Sequence, residues 1–520
     1  MKYDSNGDLN RKIAETELPK QPRSFWRETT EFPAFPALEQ ELDTEIAVVG
    51  AGITGVTVAY LLAREGRQVV LLEGEHVLNG TTGFTTAKIT AQHGLIYDHL
   101  RSHFSAEQAR LYYEGAEEAK SFMQQIVQDN RIECDWQEET AYVYAEHDDA
   151  GLKKLKQEMD AYRELGLPGE WVESLPIPLA IEGAIALPGQ ARFHPLHYLK
   201  FLLLEFLRLG GTIYEHTLIS EVENEERPRL LVQDRDFGVR CDTVVSCSHY
   251  PVIDQNGFYF ARLQPERSYT LAIRAETPFE GGMYISADEP KHSLRSATFD
   301  DQQYIIVGGK GHRTGQEGDT ISHYAELELF AGKLFGLHDI PYRWSAQDLY
   351  SLDRLPCIGQ LTSDTPNILV GTAYAKWGMT SGTLAAILLT DRIMGRDNRY
   401  ADLFDPARKT PFLKRMQTAV SHNLTVAKEL VTGKIDFNRH KAEDLKPDQG
   451  AVIWQGGKRT GAYRDPEGEL HLVDTTCTHM GCEVQWNEAE RSWDCPCHGG
   501  RFNYKGEVLE GPPTEPLKKR

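Results

Sequence analysis

The chain has 520 residues, a hydrophobic fraction of 40%, a charged fraction of 26% and a formal net charge of −21. That length exceeds one ordinary core, so two or three domains are expected, and the composition is that of a globular protein rather than a disordered one. The acidic balance argues against a nucleic-acid partner, because phosphate binding needs clustered Lys and Arg.

Residues 1–43 read as an N-terminal extension. Their start, MKYDSNGDLNRKIAETELPKQ, is polar and lacks the apolar centre of a secretory signal. The longest apolar run, IAVVGAGITGVTVAYLLA (46–63), is broken by glycines and followed by charge, so no membrane span is expected and a cytoplasmic protein is the default.

The same run opens the first functional unit. IAVV suits a buried parallel strand, and Gly50, Gly52 and Gly55 then lead into an apolar helical pattern. RQVVLLE follows as a second strand that ends on Glu73. Gly50 permits the tight turn, Gly52 lets backbone approach a pyrophosphate, and Gly55 lets helix and strand pack closely. The helix N-terminus faces phosphate charge and Glu73 can accept from ribose hydroxyls. Strand, glycines, helix, strand and acid together predict a dinucleotide site, without deciding between FAD and NAD.

Downstream segments decide. GTTGFTTAKITAQHG (80–94) follows the acid, ARFHPLHYLKFLLLEFLRLGGTIYEHT (191–217) gives a helix and a strand, and CDTVVSCSH (241–249) gives a returning strand. NILVG then feeds a glycine-marked helix start, Gly378-Met-Thr-Ser-Gly. In this order the segments resemble the D-amino-acid oxidase and glycine oxidase superfamily over residues 44–400. The resemblance implies an α/β fold: a Rossmann-type FAD-binding domain with an inserted mixed-sheet substrate domain at about 126–190 and 256–349. It implies FAD held by Gly50, Gly52, Gly55, Glu73, Thr81, Thr82, Thr86, Gly378, Met379 and Thr380, with the late helix aimed at the flavin ring. Some relatives tether FAD through a Cys near position 348. Asp348 stands there, so noncovalent FAD is expected. Where oxygen-using relatives place a Lys, this chain has Ile306 or Val307, which favours electron export. Lys376 and Lys88 are the cations available from the other side.

The alternating segments SYTLAIRAE, GMYISA, SLRSATF and QYIIVGG predict antiparallel strands of the substrate domain. Arg295 is the candidate bidentate clamp for a substrate carboxylate, with a strand-surface Arg as the plain alternative. Lys376 and Trp377 precede the flavin-facing helix and complete the candidate catalytic set. His292, His312, Tyr269 and Tyr374 are weaker pocket candidates. Cys134, Cys241, Cys247 and Cys357 read as inert buried thiols.

Residues 401–440 read as a helical linker, and 441–520 as a small all-β module of short strands and glycine turns. That module holds four of the eight cysteines. Cys477-Thr-His479 and Cys495-Pro-Cys497-His498 supply two thiolates and two imidazoles, a set that suits zinc or a Rieske [2Fe–2S] centre. Each loop offers one Cys and one His, whereas zinc spacing usually groups like ligands, so one [2Fe–2S] cluster on Cys477, His479, Cys495 and His498 is the better reading. The loops resemble Rieske proteins of cytochrome bc complexes, which implies a Cys482–Cys497 disulfide and a GPP tail lying against the cluster. It also implies a Ser and a Tyr where Gly500 and Phe502 stand, and thus a lower potential than in those proteins.

Together these readings predict an oxidoreductase that takes electrons from a small amine, amino acid or related substrate. Electrons would pass from FAD to the cluster and on to an external one-electron carrier. Redox sensing without turnover and reversed flow are the alternatives.

Overall fold

The computed structural model describes residues 18–147, 149–253, 257–408 and 441–520. Most of the expected 401–440 linker lies outside them; the described part begins with a short helix, Ala401–Phe404.

Among the described residues, eight strands form the sheet that carries the glycine turn. Its spine runs Cys357–Gln360, Ile368–Thr372, Gly238–Ser246, Leu42–Val49, Val69–Leu72, Thr212–Tyr214. Every neighbouring pair along it is parallel except the first. Val69–Leu72 and Ile46–Val49 are buried throughout, as expected of strands covered on both faces. Helix Ile53–Arg64 packs against both Pro195–Arg208 and Gly378–Ile393, and its residues Val56, Val58, Ala59 and Leu62 are wholly buried. The order places Gly50, Glu73 and Cys247 together at the carboxyl ends of adjacent strands, where doubly wound sheets bind ligands.

A second sheet, of nine strands among the described residues, contributes to the cavity at that edge. Its long members, Leu263–Arg274, His292–Phe299, Gln302–Arg313 and Asp339–Ser351, pair antiparallel. Met283–Ser286 joins Gln137–Ala145 in parallel, which makes the sheet mixed. Helix Ile321–Phe335 packs on its outer face through Tyr324, Leu327 and Ala331.

The N-terminal extension contributes to the core. Phe25 and Trp26 in helix Phe25–Glu28 are 0% exposed. Ser24 Oγ donates to Gly83 O at 2.5 Å and Trp26 Nε1 to Thr85 O at 2.7 Å, which fixes the loop after Glu73 from below.

The C-terminal module consists of two antiparallel sheets. Gln449–Gln455, Lys458–Arg464 and Leu470–Asp474 form one. Gln485–Asn487, Ser492–Asp494, Arg501–Asn503 and Val508–Glu510 form the other. Val473, Trp493 and Phe502 build a small core around the cysteines. Among the described residues no helix is long and apolar enough to cross a membrane.

Candidate functional site: a flavin cavity shared with the cluster loops

Gly50 turns with φ +96°, and a Cβ there would lie 2.7 Å from Cys247 O, so no other residue fits without moving the strand end. Gly55 is more crowded: its Cβ would lie 1.9 Å from Gly50 O. The first helical amide, Ile53 N, donates to Thr82 Oγ1 at 3.0 Å, and Ala51 N donates to Glu73 Oε2 at 2.8 Å. Burial pushes the Glu73 carboxyl above its usual range. Gly50, Ile53, Thr82 and Glu73 line a cavity of about 1500 Å³.

The cavity runs from Glu73 and Thr217–Val222 at one end, past Gly50, Thr81, Thr82, Thr86, Gly378 and Met379, to a polar chamber under the second sheet. Gly55 and Thr380 act one layer behind. Gly55 supports the turn, and Thr380 Oγ1 meets His93 Nε2 at 3.0 Å. His93 stacks on Trp377 with ring centroids 4.7 Å apart, and burial lowers its pKa to about 3. A neutral imidazole therefore supports Trp377, which caps the helix whose free amides face the chamber.

Lys376, Glu266, Asp348, Tyr350, Lys88 and Ser293 line the chamber. Lys376 Nζ lies 3.4 Å from Glu266 Oε2 and 5.8 Å from the Tyr350 ring centre. Those partners raise its pKa against the opposing effect of burial. Burial raises Asp348 to about 6 and lowers Lys88 to about 7; Lys88 Nζ donates to Ser293 Oγ. Tyr374 also reaches the wall, where it meets Thr54 Oγ1 at 2.9 Å.

Arg295 is placed elsewhere. It is 0% exposed, donates to Thr86 O (2.6 Å) and Phe193 O (3.0 Å), and lies over the Trp26 ring at 4.8 Å. It shares a strand face with Ser293, but two residues deeper, beyond the cavity floor. Main-chain carbonyls occupy its Nε and Nη2 while Nη1 is without a partner, and Arg295 is not among the residues lining the cavity, so the structure does not bring it together with Lys376 and Trp377. His292 stacks on Phe330 at 4.0 Å, and Tyr269 and His312 pair with each other; all three lie outside the cavity wall.

In the C-terminal module the two ligand loops repeat one geometry. Cys477 N donates to Cys482 O and Cys495 N to Gly500 O, both at 2.8 Å. Gly481 and Gly499 close the turns with φ +77° and +75°. Cys482 and Cys497 form a disulfide across the loops, which leaves Cys477 and Cys495 as free buried thiols. A side-chain hydrogen bond with Cys495 lowers the Cys477 pKa. The His479 and His498 rings stand 5.0 Å apart. Two paired sulfurs beside two paired imidazoles fit a Rieske cluster, with sulfur on one iron and nitrogen on the other. The GPP tail reaches this site: a Cβ on Gly500 would lie 2.6 Å from Pro513 Cδ.

His479 and residues Val508–Thr514 line the flavin cavity itself. Tyr250 packs edge-on against His479 at 6.4 Å and Phe260 against His498 at 5.9 Å. Gln347, 2% exposed, links the cofactor loops. Its main-chain O accepts from Thr81 Oγ1 (2.9 Å), its Nε2 donates to Gly499 O (2.9 Å), and its Oε1 accepts from Thr314 Oγ1 (2.7 Å). His249 Nε2, buried on the same wall, has no hydrogen-bond partner. An uncompensated buried nitrogen beside the glycine turn fits a wall shaped for a polar cofactor. Sequence reasoning missed Gln347, His249 and Glu266, because no local motif marks them.

The comparisons agree with this geometry. Residues 45–392 match the FAD dependent oxidoreductase (DAO) family and residues 437–520 the Rieske [2Fe-2S] domain. A Rieske 2Fe-2S iron–sulfur protein of Bacillus subtilis, YhfW, is 43% identical over 96% of this chain and 97% of its own length. Gamma-glutamylputrescine oxidoreductase of Escherichia coli is 22% identical over 73% of this chain and 90% of its own. Glycine oxidase from Geobacillus kaustophilus superposes with a TM-score of 0.60 at 15% identity, covering 71% of this chain and 99% of that one. The chain belongs to the FAD dependent oxidoreductase (DAO) family and carries a C-terminal Rieske [2Fe-2S] domain.

Proposed function

We propose that this protein is a dehydrogenase of a small amine or amino acid that passes electrons internally from FAD to its Rieske cluster and then to an external, cytoplasmic one-electron carrier. The observation that carries the reading is the shared cavity: His479 and the Val508–Thr514 segment line the same chamber as Gly50, Thr82 and Gly378. A bound flavin accepts two electrons with a hydride and releases them singly, and a Rieske centre takes one at a time.

The chain's own residues prepare that exchange. Gly50, Gly52, Thr82 and Glu73 hold the dinucleotide, and the amides at Gly378 stabilise negative charge at the ring end. Lys376 and Trp377, with Glu266, Asp348 and Tyr350, position the substrate C–H; orientation rather than acid–base work is the main demand. Glu266 and Asp348 suit a substrate ammonium, and Lys376 balances a carboxylate in the same chamber. The chemistry named for gamma-glutamylputrescine oxidoreductase and glycine oxidase supports an amine or amino-acid donor.

The test is anaerobic mixing of the holoprotein with a panel of amines and amino acids. Flavin bleaching followed by the EPR signal of a reduced cluster is expected for the right donor. Bleaching without a cluster signal would overturn the internal route. No bleaching with any donor, combined with flavin reduction by a chemically reduced cluster, would establish reversed flow.

A further inference from the structure

Away from the cavity, three side chains with metal-binding chemistry converge at one loop. His312 ends strand Gln302–Arg313, Glu317 lies in the following turn, and His323 opens helix Ile321–Phe335. One ligand-capable atom from each lies within 4.8 Å of the other two. The imidazole centroids are 5.1 Å apart, with the ring planes inclined by 28°.

Two further observations separate this group from a packed histidine pair. His323 is 7% exposed, yet its Nδ1 has no hydrogen-bond partner. Its Nε2 sits 2.8 Å from Glu317 Oε2 but outside hydrogen-bonding direction. A buried nitrogen without a partner is unfavourable, and a bound ion would relieve the one that faces it. His312 Nδ1 lies 2.8 Å from Arg313 O and so carries the proton, which fixes the ring and leaves Nε2 as the lone-pair nitrogen. That nitrogen accepts from the Tyr269 hydroxyl at 3.0 Å, a hydrogen bond that an ion would replace.

We propose that His312, Glu317 and His323 form a site for one zinc-type divalent ion, separate from the Rieske cluster. Two nitrogens and one carboxylate oxygen suit zinc with water as the fourth ligand. A cleft of about 660 Å³ lined by Glu317, Ser322, His323 and Glu326 admits the ion, and the Glu317 side chain, 46% exposed, is free to close on it. The location suggests its purpose. The bracketed loop is the surface on which the Rieske domain docks: a Cβ on Gly315 would lie 2.7 Å from Pro496 N. Thr320 Oγ1 donates to Asn487 Oδ1 at 2.8 Å and accepts from Ala489 N at 3.0 Å. An ion joining the two ends and the middle of this loop pins the docking surface.

The experiment is equilibrium dialysis of the holoprotein against zinc chloride, with zinc and iron counted per chain. One zinc beside two irons is expected. His323→Gln and Glu317→Gln should each weaken zinc binding at least about tenfold while iron and the cluster EPR signal stay unchanged. Anomalous diffraction at the zinc edge should place the ion between His312 and His323. No zinc in the wild type, or equal zinc in all variants, overturns the proposal. If His323→Gln fails to fold, Glu317→Gln on the exposed turn carries the comparison.

Discussion

Gly500 stands where Rieske proteins of cytochrome bc complexes carry a serine, so Gly500→Ser asks whether the missing hydroxyl alone sets the potential. The geometry predicts a steric obstacle first. A Cβ at position 500 would lie 2.6 Å from Pro513 Cδ, 2.8 Å from Pro513 Cγ and 3.7 Å from Cys477 Sγ. The proline ring cannot rotate away as a flexible chain would. Overpacking of this kind costs about 1–3 kcal/mol. Pro513→Ala removes the two clashing carbons, so the double variant Gly500→Ser/Pro513→Ala should recover most of that loss and show clear coupling in a double-mutant cycle. With the strain relieved, the hydroxyl is within reach of Cys477 Sγ, and a hydrogen bond to ligand sulfur stabilises the reduced cluster. The double variant should therefore have the higher potential. Denaturant unfolding followed by cluster absorbance gives the stabilities, and EPR-monitored redox titration gives the potentials. Wild-type stability in Gly500→Ser, with no coupling to Pro513→Ala, would refute the packing argument. A potential unchanged in a well-folded double variant would refute the hydroxyl argument.

Arg295→Ala should lower stability by about 2–5 kcal/mol, since Thr86 O and Phe193 O lose their buried donors, and should leave KM for a carboxylate substrate unchanged; a raised KM at wild-type stability would return Arg295 to the site. Gln347→Ala should loosen the cluster loop by about 1–3 kcal/mol, read as faster amide exchange across residues 495–500 and slower flavin-to-cluster transfer; unchanged exchange would show that the link is idle. For Lys88 the folded pKa is depressed to about 7 from 10.5, so the folded state pays for the charged form below pH 7 and stability rises between pH 7 and 10.5. Lys88→Met should flatten that rise in urea unfolding measured across the window, and an identical slope in both proteins would exclude Lys88 as its source.

The dinucleotide turn and the cluster ligands were legible because their chemistry is packed into contiguous segments. A glycine that must turn beside another strand, or a Cys two residues from a His, is local information. What was not legible lies in juxtaposition. Arg295 has the alternation of a chamber residue, but alternation gives the face of a strand and not the depth along it. Trp26 and Ser24 come from an extension with no visible motif, yet they fix the loop that carries Thr82 and Thr86. His312 read as a weak pocket candidate, and only the helix that follows brings His323 beside it. Asp348 was read only as the absence of a cysteine tether, and neighbouring Gln347 connects both cofactor loops because the same strand runs between them.

The docking of the Rieske domain follows from charge as well as shape. Arg267, wholly buried on the flavin side, lies 3.3 Å from Glu510 and 3.8 Å from Asp494. Arg501 bonds the same two carboxylates from within the Rieske domain, at 2.7 and 3.1 Å. Two cations and two anions therefore balance across the interface, with Arg267 and Asp494 buried and Glu510 on the cavity wall, and each domain alone holds an unequal set. Buried ion pairs contribute little net stability, because desolvation offsets attraction, but they penalise every arrangement that leaves one charge without its partners. The quartet thus selects a register more than it strengthens an interface. In that register His479 and His498 face Tyr250 and Phe260 of the flavin side. Under the proposed internal route, a cluster held this way has one fixed neighbour, so the first transfer after substrate oxidation needs no encounter between molecules and its rate should not depend on protein concentration.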